Sequence, residues 1–208
     1  DALDGPLPRA QYHDSFEYAG DWCPVFLDEF KKRRGYDLRD RLATFFGKKG
    51  TDEERARIKC DYRIVLADLH RETMAVWAAW ARKRGMLTRN QAHGAPANLL
   101  DVYAVADIPE TEMFGGPAFP IPGFRRDPKR VRPADDDPRI CMMAASAAHV
   151  AHEPGRQLVS AESCTWLRNH WRANLGQIKL SLDLFFLAGV NHLLYHGSCY
   201  SPTDAPWP

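Results

Sequence analysis

The stretch MLTRNQAHGAPANLLDVYAVADIPETE, residues 86–112, decides the fold. Met86 to Asn90 reads as a strand that opens into the loop QAHGAPAN. Asn98 to Ala104 then reads as a short helix, leading to a further strand around Ala106 to Ile108. Strand, helix and strand in that order form the repeating unit of α/β folds, with right-handed crossovers between parallel strands.

The same alternation extends in both directions. Upstream, Ala10 to Ser15 reads as a short buried strand, and Pro24 to Arg34 as a helix begun by proline and stopped by Gly35. Thr51 to Arg84 is one long helical stretch opened by a Thr51/Glu54 capping box. Ile58, Tyr62, Val65, Leu69, Val76, Trp77 and Trp80 fall on one of its faces, so both tryptophans are expected in the core. Downstream, residues 114–138 are rich in Gly, Pro and charge without hydrophobic period and read as a long surface loop, either functional or a mobile insertion. Arg139 to His152 (a helix), Gln157 to Ala161 (a strand), Asn169 to Leu187 (a helix) and Val190 to Tyr195 (a strand) complete the pattern. About five strand–helix units make residues 1–208 a single α/β domain, a partial (β/α)8 TIM-type barrel. A complete barrel typically needs about 250 residues, so two or three opening units are expected to be missing.

Composition narrows the function classes. With 28 Lys and Arg against 27 Asp and Glu, the net charge of +1 supplies no basic field, so nucleic acid is not an expected partner. No apolar run approaches the roughly 18 residues of a membrane span, so no membrane partner is expected. The chain opens on Asp1 with no leader, which favours an internal piece of a longer protein over a processed secreted one. Five scattered cysteines without a C-x-x-C pair argue against a zinc site or disulfide scaffold and for buried free thiols, with one disulfide allowed if the protein is exported. There is no H-E-x-x-H, G-x-S-x-G, G-x-G-x-x-G or Walker pattern.

Three segments end in carboxylates where an extended run gives way to a loop: HDSFE at 13–17, IPETE at 108–112 and VSAES at 159–163. Strand ends in a barrel converge on one pocket, so these carboxylates can meet around one bond. If its strand stays regular, His13, Ser15 and Glu17 point the same way, and a Glu17 lodged near Phe16 and Trp22 would have a raised pKa suited to a general acid. The plain alternative is a surface carboxylate capping the loop. Glu162 continues an apolar strand just before Trp166, and burying a carboxylate costs several kcal/mol unless it is used or paired. Its alternative is a structural ion pair with Arg168 or Arg172. Glu110 and Glu112, with Asp107 nearby, are hard oxygen ligands of the kind Ca²⁺ takes, or solvated acidic residues. Asn90, Gln91 and His93 at one strand end, and His192, Tyr195, His196 and Tyr200 at the last, supply neutral donors and flat faces for a sugar.

Read together, HDSFE with the following DW-P and EFKKRRGYDL, then RNQAHGAPANLLDVYAVADIPETE, SAESCTWL and NHLLYHGSCYSP, resemble the catalytic barrel of the α-L-rhamnosidases of glycoside hydrolase family 106, in its C-terminal part. The resemblance implies a multidomain, exported enzyme, periplasmic or extracellular, whose remaining barrel and β-sandwich domains belong to a longer chain. It implies cleavage of terminal α-L-rhamnose from a carbohydrate substrate by inversion, with Ca²⁺ on the sugar hydroxyls. On that basis Glu17 matches the general acid, Glu162 the base, and Glu112 or Glu110 the acidic calcium ligand; His13, Asp14, Trp22 and Trp166 fall in or beside the same motifs. Two other readings stay open: a retaining, β-galactosidase-like barrel glycosidase, with carboxyls about 5–5.5 Å apart in place of roughly 6.5–9.5 Å, and a non-catalytic carbohydrate-binding remnant.

Overall fold

The computed structural model describes residues 5–18, 22–113, 137–151, 157–164 and 175–196 of the 208-residue chain. The chain divides into two compact units, Asp1–Asp107 and Ile108–Pro208. Strands alternate with helices in both, the α/β class of a partial (β/α)8 barrel that the sequence implies.

In the first unit, β1 (Ala10–His13) and β2 (Leu87–Gln91) run parallel, with Tyr12 beside Arg89 and His13 beside Asn90. Between them lie α1 (Phe26–Arg34), a 3₁₀ turn (Leu38–Arg41), the one-turn α2 (Leu42–Phe45) and the 32-residue α3 (Asp52–Lys83). α4 (Leu99–Tyr103) follows β2. α1 stops where Gly35 adopts φ +77°, and its N–H donates to the Lys31 carbonyl, the left-handed cap that glycine adopts without strain. The capping box of α3 is complete: Thr51 Oγ1 accepts the Glu54 N–H at 3.2 Å, and Glu54 Oε2 accepts the Thr51 N–H at 2.7 Å. Phe26, Phe30, Leu38, Ile58 and Val65 form a buried cluster, flanked by Phe45, Tyr62 and Leu69. It is tied at the surface by Arg33, which bonds both Glu72 oxygens at 2.8 Å.

The apolar stripe of α3 does not stay on one line. Its first half packs on α1 and α2 and its second half on β2, so the buried positions shift to Met74, Ala78 and Ala81. Val76 is therefore 71% exposed, and Trp80 lies at the surface under the Arg84 guanidinium, 4.4 Å from the ring centroid. Only Trp77 turns inward, half-buried against the His13 ring. The expectation of two core tryptophans is corrected accordingly.

In the second unit, β3 (Ile108–Met113), β4 (Ser160–Ser163) and β5 (His192–Tyr195) are parallel neighbours, with α5 (Pro138–Ala151) between β3 and β4 and α6 (Leu175–Leu187) between β4 and β5. The buried face of α5 is nearly all alanine (Ala144, Ala145, Ala147, Ala148), which lets the helix lie close to β3. β3 begins two residues later than expected, because Ala106 belongs to the turn after α4 and Asp107 binds back to β2. β4 likewise starts at Ser160 rather than Gln157. Residues 114–136 of the expected long loop, and 169–174 of the last expected helix, lie outside the described residues.

Among the described residues, Cys23, Cys60, Cys141 and Cys164 are free thiols, and no helix is long and apolar enough to cross a membrane.

Candidate functional site

Parallel pairing assigns each side chain of the second unit to one of two rows. Register partners on adjacent strands share a face, and residues two apart on a strand share it too. Glu110 is the partner of Ser160, and Glu112 of Glu162; Ser160 in turn is the partner of His192, and Glu162 of Leu194. One row therefore carries Glu110, Glu112, Ser160, Glu162, His192 and Leu194. The opposite row carries Thr111, Ala161, Ser163, Leu193 and Tyr195, which puts Tyr195 on the other face from Glu162.

Within the carboxylate row, the Ser160 hydroxyl donates to Glu110 Oε2, and both residues are buried. Glu110 is thus held inside the sheet, while Glu112 and Glu162 sit side by side one step nearer the strand ends, each half-buried. His196, just past β5, brings Nδ1 to 3.7 Å from Glu162 Oε1. Directly after the strand, Cys164 takes φ +66°, a left-handed conformation unusual outside glycine. Burial pushes the Cys164 thiol up to about 11, so it carries almost no thiolate at neutral pH. The candidate ion pairs of Glu162 with Arg168 and Arg172, and the candidates Trp166 and Tyr200, fall outside the described residues.

The first unit carries Glu17. β1 ends at His13, so Asp14 to Tyr18 are not strand, and the expected alternation of His13, Ser15 and Glu17 does not hold. What fixes this segment is Phe16. Its N–H donates to the His93 carbonyl at 2.8 Å, and its ring meets His70 of α3 edge-on at 5.4 Å. Gly94, at φ +72°, lies so close that an added Cβ would stand 2.8 Å from the Phe16 carbonyl oxygen. Glu17 itself is exposed, and Trp22, 55% exposed, packs on Phe26. The apolar surroundings expected for Glu17 are therefore not formed by Phe16 and Trp22.

Row assignment also sorts the polar candidates of this unit. His13 and Asn90 are register partners on the face turned to α3, with the His13 ring 5.8 Å from Trp77 and Asn90 only 1% exposed. The other face carries Tyr12, Arg89 and Gln91, with Asp14 just beyond β1. Gln91 Nε2 donates to the Tyr12 hydroxyl at 2.8 Å, and that hydroxyl donates to Asp14 Oδ1 at 3.1 Å. The Arg89 guanidinium lies 4.1 Å from the Tyr12 ring centroid. Tyr12 and Arg89 are absent from the sequence reading, although each stands two residues before a residue it named. Burial lowers the pKa of His93, leaving a neutral ring beside the Phe16 segment. It does the same for His70, helped by the neighbouring His13.

Asp107, expected near a metal, is occupied otherwise. Its carboxylate accepts the Thr88 N–H and hydroxyl at 2.8 Å each and pairs with Arg82 at 2.8 Å. Burial pulls its pKa up, but these bonds outweigh that and hold it below the usual carboxylate range. Among the described residues no group of three or more His, Cys, Asp or Glu side chains could hold a metal ion. Glu110 and Glu112 offer oxygens of the kind calcium takes, but the described residues do not complete its shell of about six to eight.

A family model for alpha-L-rhamnosidases, glycoside hydrolase family 106, matches residues 8–208. This chain belongs to that family. Among solved structures, the family member described here is similar to a rhamnosidase from Novosphingobium sp. PP1Y, with 28% sequence identity and a TM-score of 0.67. The match covers 94% of this chain and 18% of that one, so the chain spans less than a fifth of that rhamnosidase's length. No curated protein matches it.

Proposed function

We propose that this family 106 chain is a catalytic-barrel segment of a glycoside hydrolase that removes terminal α-L-rhamnose from a carbohydrate substrate. In this reading the remaining barrel units and β-sandwich domains of a longer protein complete the site, and the protein works in the periplasm or outside the cell. The observation that carries the reading is the carboxylate row at the ends of β3 and β4, where Glu112 and Glu162 are register partners and His196 stands 3.7 Å from Glu162. Several acidic groups on one face of neighbouring strand ends suit a reaction in which a proton is given to a leaving oxygen and another taken from water.

Glu162 is the base that activates water in this mechanism, and Glu17 the acid that protonates the departing oxygen. Asp14, Gln91 and His192 bind sugar hydroxyls, with His196 beside the base. Calcium, if bound, would be held by the acidic oxygens of Glu112 and Glu110 and would supply a positive centre for sugar hydroxyls. The test is Glu162→Gln assayed on p-nitrophenyl α-L-rhamnoside. Losing a general base costs roughly 10²–10⁴-fold, so a variant that keeps more than about a tenth of the rate removes Glu162 from that role.

A retaining mechanism has one observation in its favour. Adjacent strands lie about 4.8 Å apart, so register partners such as Glu112 and Glu162 can approach the roughly 5–5.5 Å carboxyl separation of retaining enzymes. The first-formed sugar decides: β-L-rhamnose by NMR means inversion, and α-L-rhamnose means retention.

A further inference from the structure

The row of the β1–β2 ladder that faces away from α3 contains a hydrogen-bond chain whose direction is set by chemistry. Gln91 is 2% exposed and its amide nitrogen can only donate, so the Tyr12 oxygen accepts there and its single proton is directed to Asp14. The Ser15 N–H donates to the same atom, Asp14 Oδ1, at 2.8 Å. Both of these bonds converge on Oδ1, one carboxylate oxygen of an exposed residue, and neither engages Oδ2. The Arg89 guanidinium, stacked on the Tyr12 ring, restrains that ring from behind.

We propose that Tyr12 is a positioning residue that holds Asp14 as a preset acceptor for one hydroxyl of the sugar, three residues ahead of Glu17. A carboxylate oxygen with its twin already bonded is a strong, oriented acceptor for a sugar O–H. Holding it in place before binding lowers the entropy cost of catching the substrate. Asp14 thereby selects sugars that carry a hydroxyl at one ring position. The inference rests on the hydrolase reading above and adds to it the group that discriminates among substrates.

The experiment uses the full-length protein carrying this chain, with p-nitrophenyl α-L-rhamnoside and its 2-, 3- and 4-deoxy analogues as substrates. Tyr12→Phe removes the hydroxyl and keeps the ring. It should raise KM for the parent about tenfold, the size of one charge-assisted hydrogen bond, with kcat within about twofold and an unchanged melting temperature. Asp14→Asn should lower kcat/KM by about 10²-fold on the parent. Both losses should shrink to near nothing on one and the same deoxy analogue, the one lacking the hydroxyl that Asp14 holds. A Tyr12→Phe loss that is equal across all four substrates, or no loss at all, overturns the positioning role while the hydrolase reading stands. A wild-type protein that neither cleaves these rhamnosides nor binds L-rhamnose by calorimetry overturns both.

Discussion

Gly94→Ala tests how the Glu17 segment is held. An alanine at φ +72° costs about 1–2 kcal/mol in the left-handed region. Its methyl would also meet the Phe16 carbonyl oxygen at 2.8 Å, a backbone atom that can yield only if the segment moves. Moving it puts at risk the bond from the Phe16 N–H to the His93 carbonyl, worth about 0.5–1.5 kcal/mol net. The total is about 1.5–3.5 kcal/mol, which for a chain of this size lowers Tm by about 3–14 °C. Gly35→Ala is the control: its φ is +77°, but no atom lies within 4 Å of the added methyl, so it bears the backbone cost alone. Both variants are compared by thermal unfolding under circular dichroism and by rhamnoside hydrolysis in the full-length protein. Gly94→Ala should melt below Gly35→Ala and, on the acid role proposed for Glu17, lose about 10²-fold in rate, the effect of a 1 Å displacement at a reacting group, while Gly35→Ala keeps its rate. Equal melting temperatures with equal rates would refute the argument that the Gly94–Phe16 contact fixes Glu17.

Other expectations follow from single interactions. Asp107 has a folded pKa below its unfolded value of about 3.9. Its contribution to stability is therefore present above that value and lost as pH falls through the lower folded one. Asp107→Asn should lower Tm at pH 7 and flatten the acid limb of a Tm-against-pH plot; an unchanged limb would assign acid unfolding to other groups. Thr51→Ala removes the cap of α3 and should cost about 1 kcal/mol, read as a lower urea midpoint with unchanged slope. Burial pushes both the Cys141 and Cys164 thiols up to about 11, whereas Cys60 is exposed. Iodoacetamide at pH 8 should label Cys60 in the folded protein and reach Cys141 only in denaturant, as read by peptide mass mapping; early Cys141 labelling would contradict its burial.

The elements were legible where local chemistry dominates. The Thr51/Glu54 box and the Gly35 stop depend on a few neighbouring residues, and both stand where the sequence places them. The rotation of the α3 stripe was not legible, because the partner of each turn changes from α1 and α2 to β2, and no periodicity encodes a change of partner. Asp107 shows the same limit at the level of a side chain: its sequence neighbours suggest a metal ligand, while Thr88 and Arg82, far along the chain, claim its oxygens.

The amino-acid sequence alone determined the strand–helix alternation, the family and the identity of the carboxylates, since these reside in residue order and local propensity. Only the tertiary structure decided which of them share a face. A one-residue change of strand register would move Glu162 to the opposite side of its strand and away from Glu112. Register is set by pairing between segments that lie some fifty residues apart, Glu110 with Ser160, and no local pattern carries that information.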